Sequence, residues 1–155
     1  MAGKRPMQST AKSECAFCTI QSNTADCFRV WEDENTLVFL DYRPLFPGHC
    51  LLITKAHFAT LAELPSPLVH AVFDNVRTVA IAVQKAMNAE GTFVAINNAV
   101  SQSVPHFHVH IVPRRKGDGL RGFFWPRQKY ESNKRAARVA EAIREEILNA
   151  RPREL

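Results

Sequence analysis

Three histidines at every second position place the strongest constraint on how this 155-residue chain can fold. They lie in PHFHVHIV, residues 105–112, with an apolar residue in each gap. Successive side chains of a β-strand point to opposite faces, so a strand here presents His106, His108 and His110 on one face and apolar side chains on the other. The segment therefore predicts a strand with one face in a core and one face of imidazoles.

Two chemical interpretations of the imidazole face compete with a structural one. A single strand histidine is usually structural or solvated, but packing would favour apolar groups and solubility charged ones, so three together call for another explanation. A metal cluster is possible because the two imidazoles of a His-x-His pair can converge on one ion. Attack on phosphorus is the other interpretation, since a neutral imidazole is a nucleophile near pH 7 and adjacent N–H groups stabilise developing charge.

Short apolar runs bounded by turn signals predict further strands. Those near residues 28–31 and 36–40 are joined by the polar turn EDEN and are typical of a hairpin. Two more cover residues 49–53 and 92–97, and Pro113 is predicted to end the histidine strand. This pattern favours an antiparallel sheet of about five strands.

A change of apolar period predicts one long helix between these strands. Ser66 is its predicted N-cap, Pro67 its first residue, and Gly91 its end. Its apolar positions recur every three or four residues: Val69, Val72, Phe73, Val76, Ala80, Val83 and Met87. A final helix is predicted from about residue 133 to 150. The fold class is therefore α+β, with the long helix packed on the sheet and a C-terminal helix.

Length and segment composition predict one domain outside the membrane. No apolar run reaches the roughly 20 residues that span a bilayer, and the basic start of the chain lacks the apolar region of a secretory signal. Residues 1–14 are predicted to be a disordered tail, and the expected compartment is the cytoplasm. The aromatic cluster at residues 123–125 is predicted to pack on the domain or on a partner chain.

Charge favours anionic partners. Twenty Lys and Arg against fifteen Asp and Glu give a formal net charge of +5. Both phosphate-bearing small molecules and nucleic acid fit this sign. The excess is spread over the N-terminal tail, residues 114–116 and the last helix, which disfavours a nucleic-acid surface.

The four cysteines fall into two kinds. Cys27 and Cys50 are isolated among apolar residues and are predicted to be small core side chains. Cys15 and Cys18 have the C-x-x-C spacing that forms half of many zinc sites. Unligated thiols remain an alternative; a redox pair is disfavoured, because CAFC lacks the strand before it and the helix after it that such sites have.

The segment HFHVHIV resembles the H-φ-H-φ-H-φ-φ signature of the histidine-triad (HIT) family of nucleotide hydrolases and transferases. The likeness extends to C-x-x-C near the start, to LDYRPLFPGHCLLITKAH, and to PRRKGDG after the triad. It covers about residues 15–130 and leaves residues 131–155 as a C-terminal helix and tail. The resemblance implies a homodimer whose sheets join.

The same resemblance implies a function. It is hydrolysis of purine nucleoside phosphoramidates or dinucleoside polyphosphates through a covalent nucleotidyl-histidine intermediate. A dinucleoside polyphosphate phosphorylase or nucleotidyltransferase, and a non-catalytic nucleotide-binding regulatory protein, are alternatives. A DNA-repair role is disfavoured because no long basic segment follows the domain.

Residue roles follow from the resemblance. His108 matches the nucleophile, His110 and His49 match histidines that contact the phosphate, and Asp41 matches the carboxylate that binds the ribose hydroxyls. The matches on the phosphate and leaving-group side are Asn97, Gln102 and Ser103. The matches around the nucleobase are Phe17, Phe39 and Tyr42, for which an ordinary core role is an equal alternative. The segment between the matched Asn and Gln is about two residues shorter than the usual glycine-containing loop, which predicts a leaving-group pocket of different shape.

A zinc-bearing subset of the family implies a metal site as well. Its C-x-x-C and two histidines match Cys15, Cys18, His57 and His106, which would form a closed Cys2His2 tetrahedron. Such zinc is structural: it would hold the N-terminal segment against the sheet, and the reaction would need no catalytic metal.

Overall fold

A computed structural model describes residues 15–120 and 128–150, with side chains as far as residue 146. The predictions for the tail at residues 1–14 and for the aromatic cluster at residues 123–125 lie outside the described residues. The chain divides after Asp118 into two compact units. The second unit contains the predicted C-terminal helix, and the first contains the sheet.

The first unit is built on a five-stranded antiparallel sheet in the order β1-β2-β3-β5-β4. The strands are β1 Arg29–Glu32, β2 Thr36–Leu40, β3 Cys50–Thr54, β4 Gly91–Ala95 and β5 His108–Arg114. The helices of the chain are α1 Ala16–Gln21, α2 Ser66–Ala86 and α3 Asn133–Ala150, with a short 3-10 turn at Leu61–Glu63. The predicted α+β class and strand number are confirmed.

The histidine strand β5 lies inside the sheet, between β3 and β4. Pro113 does not end it, as the sequence predicted, but pairs with Thr92 of β4 one residue before the end. The last β5 residue that pairs with β3 is Ile111, opposite Cys50. Proline is tolerated at 113 because β5 has a neighbour on one side only at that point.

The long helix α2 covers one face of the sheet. Its buried valines Val72, Val76, Val79 and Val83 pack in one cluster with Phe107, Val109 and Ile111, the apolar residues that alternate with the histidines. The opposite face carries a second buried cluster, formed by Cys15, Phe17, Leu37, Phe39, Leu51 and Ile53. The predicted alternation of the histidine segment therefore holds, with its apolar side under α2.

The predicted ends of the long helix were wrong. Pro65 is the N-cap, and Ser66 is already the first helical residue. The helix ends at Ala86, and Asn88 turns the chain with a left-handed φ of 48°. Asparagine adopts this conformation more readily than other residues with a side chain. Gly91 lies beyond this turn and is the first residue of β4.

One glycine fixes how the chain enters β3. Gly48 has φ +93°, which residues with a side chain rarely adopt, and an added Cβ would lie 2.5 Å from Cγ of Met87. The tight approach brings the segment against the end of α2. It delivers the next residue, His49, to the start of β3 in a buried position.

Candidate active site and metal centre

The three histidines of the triad lie on the sheet face that α2 leaves uncovered, against α1. The Phe17 ring packs edge-on at centroid distances of 5.1 Å from His108 and 5.9 Å from His106. The rings of His108 and His110 are 5.0 Å apart. His106 itself precedes the first residue of β5. The sequence prediction of a shared face is confirmed, but the three rings have different surroundings.

A backbone carbonyl fixes the proton position on His108. Its Nδ1 lies 2.6 Å from the carbonyl oxygen of His106, and both groups are buried. A carbonyl oxygen only accepts hydrogen bonds, so Nδ1 carries the hydrogen. In the neutral ring, Nε2 then keeps its lone pair. The arrangement makes Nε2 of His108 a potential nucleophile.

A chain of hydrogen bonds fixes His110 in the complementary form. The Leu45 N–H donates to Nδ1 of His49 at 3.1 Å, so Nε2 of His49 carries the hydrogen. That nitrogen lies 3.0 Å from Nδ1 of His110 and donates to it. The hydrogen of His110 therefore sits on Nε2. His110 presents an N–H donor beside the lone pair of His108.

Burial keeps this donor chain neutral. Loss of hydration lowers the pKa of His49, and it lowers the pKa of His110 to about 4, with the neighbouring histidines adding to the effect. Asp41 Oδ2 lies 3.7 Å from Nδ1 of His49, which opposes the shift. The Leu45 N–H already donates to Nδ1, so we assign His49 as neutral rather than as half of an ion pair.

Asp41 lies at the turn between β2 and β3, on the His49 side. Its Oδ1 accepts the Arg43 N–H at 2.8 Å, which holds the carboxylate in place. Asp41, His49 and His110 also offer three potential metal ligands within 4.8 Å of one another. The hydrogen-bond chain engages both ring nitrogens of His49 and Nδ1 of His110, which accounts for their proximity.

The segment after β4 carries the predicted leaving-group residues. The register pairs Ala95 with His110, so two residues further along Asn97 falls opposite His108. Gln102 holds this segment in shape: its Nε2 donates to the Ala59 carbonyl at 2.6 Å, and its Oε1 accepts the Ala99 N–H at 2.9 Å. Its amide is therefore engaged with the backbone. Ser103 is exposed, and its side chain makes no hydrogen bond within the described ranges.

The shortened loop has two residues with a side chain in the left-handed backbone region. Ala99 and Ser101 adopt left-handed φ values of 64° and 59°. Such a conformation costs on the order of 1 kcal/mol or more for a residue with a Cβ. Asn98, which sequence reasoning missed, ties the loop down by accepting the Leu61 N–H at 2.8 Å. The doubled asparagine after a strand was the only signal for it.

A pocket of about 280 Å³ is lined by Phe39, which packs on Phe17, and it matches the predicted nucleobase site only in part. Phe39 and Tyr42 line it, but Phe17 lies between the pocket and the histidines as a buried ring. The other lining residues, which sequence reasoning missed, are Ile20, Asp26, Cys27, Phe28 and Leu40. Cys27 was predicted to be a core residue and is instead half-buried in this wall, whereas Cys50 is buried as predicted. The three-residue spacing of Phe17 and Ile20 was a signal for part of it.

The four predicted metal ligands come together at the other end of the triad. Helix α1 places Cys15 and Cys18 side by side, with Sγ atoms 3.5 and 3.6 Å from Nδ1 of His106. Sγ of Cys18 is 3.3 Å from Nδ1 of His57. Ligands of one tetrahedral zinc ion, with its usual Zn–S and Zn–N lengths, are separated by about 3.6 Å. The Cys2His2 cluster is compatible with structural zinc.

The proton position on His106 fits a ligand role. Its Nε2 lies 2.8 Å from the Thr54 carbonyl and must donate to it, which leaves the Nδ1 lone pair facing the two sulfurs. Burial lowers the pKa of His106 to about 4, so the ring is neutral at pH 7. A second partner that orients a ligating imidazole is usual in zinc sites.

Comparison with known proteins decides the family. The HIT domain model matches residues 22–117, which is more than half of the chain. The chain belongs to the HIT family. The match begins after Cys18, so the cysteine pair lies outside it. The chain is also 37% identical over 114 residues to adenylylsulfatase HINT3 of Arabidopsis thaliana. That alignment covers 72% of this chain but only 58% of the relative.

Solved structures share the fold. SMU.412c from Streptococcus mutans is 33% identical, with a TM-score of 0.80 and coverage of 94% of this chain and 91% of that one. A Zn-bound histidine triad family protein from Mycobacterium smegmatis is also 33% identical, with a TM-score of 0.67 and coverage of 91% and 100%. Membership of this family supports a nucleotide-processing enzyme. Within the described ranges, no helix is long and apolar enough to cross a membrane.

Proposed function

We propose that the protein hydrolyses purine nucleoside phosphate derivatives through a covalent intermediate on His108. In the first step, Nε2 of His108 forms a bond to the α-phosphorus, the bond from phosphorus to the leaving group breaks, and the leaving group takes a proton from water. In the second step, water attacks phosphorus, the N–P bond breaks, and the electron pair returns to Nε2. Nucleoside monophosphate is released, and the proton lost by the attacking water neutralises the hydroxide that the first step leaves.

The observation that carries this proposal is the pairing of two histidines whose hydrogen bonds place the ring hydrogen on opposite nitrogens. His108 keeps a lone pair on Nε2 because the His106 carbonyl accepts its Nδ1–H at 2.6 Å. His110 offers an N–H because His49 donates to its other nitrogen at 3.0 Å. A nucleophile beside a fixed donor suits attack on a phosphoryl group whose oxygens gain charge. His49 acts through His110 in this scheme and is a positioning residue.

The remaining site residues orient the substrate. Asp41 would accept hydrogen bonds from the ribose hydroxyls, and the pocket lined by Phe39 and Tyr42 would hold the base. Asn97 and Ser103 would contact the phosphate or the leaving group, since neither side chain has another hydrogen bond within the described residues. Gln102 would act indirectly by holding the loop. These positions convert a bimolecular attack into an oriented one.

The proposed mechanism fits several substrate classes, which differ in the bond to phosphorus that is broken. Nucleoside phosphoramidates and dinucleoside polyphosphates are the proposed classes, and the Arabidopsis relative named an adenylylsulfatase adds adenylyl sulfate. A panel of adenosine phosphoramidate, diadenosine triphosphate, diadenosine tetraphosphate and adenylyl sulfate tests them. Each is measured with and without inorganic phosphate, because a phosphorylase would show turnover that depends on phosphate.

Trapping the intermediate tests the mechanism. Rapid acid-free quenching and intact-protein mass spectrometry should show wild-type chain carrying one nucleotidyl group. His108→Ala should lose both the adduct and turnover while still binding the product nucleotide. His110→Gln should form the adduct more slowly. Equal residual turnover by His108→Ala would overturn the mechanism, and binding without turnover by the wild type would favour a regulatory nucleotide-binding protein.

A further inference from the structure

The wall of the base pocket contains one feature that shape alone does not explain. Asp26 is the only charged side chain among the described residues that line it. The other walls are apolar or weakly polar, as expected for a surface that stacks on a base. Asp26 forms no hydrogen bond through its carboxylate and no ion pair within the described ranges. Asp26 is an exposed residue of this wall, so its two oxygens are open to water and to a ligand that offers hydrogen-bond donors.

Arg29 is the nearest basic residue to Asp26 along the chain, but its guanidinium contacts other groups. Arg29 donates through Nη2 to the Ile20 carbonyl at 2.6 Å. It also lies 3.5 Å from Oε1 of Glu32. These contacts leave the Asp26 carboxylate without a neutralising partner. A ligand in the pocket would meet a negative group that can only accept hydrogen bonds.

We propose that Asp26 makes the site selective for guanine. The inference rests on the proposed function, because it takes the pocket as the nucleobase site. The Watson–Crick edge of guanine presents two adjacent donors, N1–H and N2–H₂, which match the two oxygens of a carboxylate. Adenine presents one donor, N6–H₂, beside the N1 lone pair, which repels the second oxygen. A two-point match of this kind separates bases by about tenfold or more.

Substitution by asparagine gives the sharpest test. Asp26→Asn keeps the size of the side chain but offers one acceptor and one donor, which match the N6–H₂ and N1 of adenine. We expect wild type to favour guanosine over adenosine phosphoramidate in kcat/KM by about tenfold. Asp26→Ala should bring the ratio near one, and Asp26→Asn should reverse it. Inosine phosphoramidate, which keeps N1–H but lacks the amino group, should fall between the two.

A matched control removes the same charge elsewhere. Asp74 lies exposed on α2, and its one ion pair among the described residues is with exposed Arg77, so Asp74→Asn should leave the guanosine-to-adenosine ratio unchanged. Equal turnover of both substrates by wild type, or an unchanged ratio in both Asp26 variants, would overturn the inference and leave the proposed function standing. Failure of wild type to bind guanosine or adenosine monophosphate in calorimetry would overturn both.

Discussion

Three residues of one type acquire three roles through the groups that touch their ring nitrogens. The Thr54 carbonyl leaves His106 with a lone pair toward the cysteines, and the His106 carbonyl leaves His108 with one on Nε2. His110 instead accepts from His49 and exposes an N–H. The competing metal and phosphorus interpretations of the sequence are therefore compatible, because they concern different rings.

The lowered pKa of His110 predicts a loss of stability in weak acid. Burial lowers this pKa to about 4, whereas the pKa of a histidine in an unfolded chain is about 6.5. Between these values the unfolded chain binds a proton that the folded chain does not, so the free energy of unfolding falls as the pH drops through this window. We expect His110 to contribute about 1–2 kcal/mol of this fall, less than the full pKa difference because solvent screens a half-buried group.

Urea unfolding at pH 7.5 and pH 5 measures the effect. His110→Gln keeps a polar side chain that does not titrate, so the variant should lose less stability between the two pH values than wild type. The difference between the two losses isolates His110 from His49 and His106, whose pKa values are also lowered. Identical pH dependence in both proteins would contradict the assignment.

Substitution of Gly48 by alanine should lower the free energy of unfolding by more than its backbone angle alone explains. Gly48→Ala meets both an unfavourable φ of +93° and Met87 Cγ at 2.5 Å. Gly117 has φ +75° but no atom within 4 Å of an added Cβ, so Gly117→Ala is the control for the angle. We expect Gly117→Ala to lower the free energy of unfolding by about 1 kcal/mol, and Gly48→Ala to lower it by about 1–3 kcal/mol more. Chemical denaturation measures both.

A second variant separates the two parts of the Gly48 cost. In a Met87→Ala background the clash is gone, so Gly48→Ala should cost about as much as Gly117→Ala. A double-mutant cycle gives this coupling directly. An unchanged cost in that background would mean that Met87 is not the obstacle.

Among the elements, those with a strong period could be predicted and those fixed by tertiary contacts could not. The alternation in β5 and the valine spacing in α2 identified both elements and their buried faces. The end of α2 was misplaced because Asn88 takes the left-handed turn expected of Gly91. Helix α1 was missed because six residues are too short to form a stable helix without packing.

The site shows the same division. The histidines and cysteines carry rare chemistry at fixed spacings, and their spatial grouping followed from those spacings and the family resemblance. The base pocket was predicted less well, since Asp26, Cys27 and Phe28 belong to an irregular segment with no period. Their position depends on where α1 packs, and the three-residue spacing of Phe17 and Ile20 was the one sequence signal for that helix.

Zinc is predicted to hold α1 in place. Helix α1 contributes Cys18 to the metal cluster and Phe17 to the wall beside His108. Wild type purified without chelator should contain about one zinc per chain, and Cys18→Ser should lose it. The expected fall in stability is about 3 kcal/mol, or roughly 6–12 °C in Tm. Metal analysis and thermal unfolding measure the two effects.

Cys27→Ser is the matched control for zinc binding, because this half-buried cysteine lies outside the metal cluster. It should retain the zinc content and Tm of wild type to within a few degrees. Turnover by Cys18→Ser should fall as well, since release of α1 would free the Phe17 ring from His108. A zinc content near zero in wild type would remove the metal site.

At the scale of the molecule, the sheet of the first unit has two edge strands, and each exposes an apolar side chain. Strand β4 pairs only with β5 and strand β1 only with β2 among the described residues. Val94 on β4 and Val30 on β1 are 41% and 53% exposed. An edge strand with exposed apolar side chains is a surface on which a second sheet can pair. The resemblance that implies joined sheets requires one of these edges.

We predict a homodimer formed along β4. Size-exclusion chromatography with light scattering should give twice the 17.5 kDa chain mass. Val94→Lys places a charge on this edge, and lysine is a residue that natural edge strands use to prevent pairing, so the variant should be monomeric at micromolar concentration. Val30→Lys makes the same change on the opposite edge and should remain dimeric. Dissociation by Val30→Lys with an intact Val94→Lys dimer would assign the interface to β1 instead, and a monomeric wild type would exclude both edges.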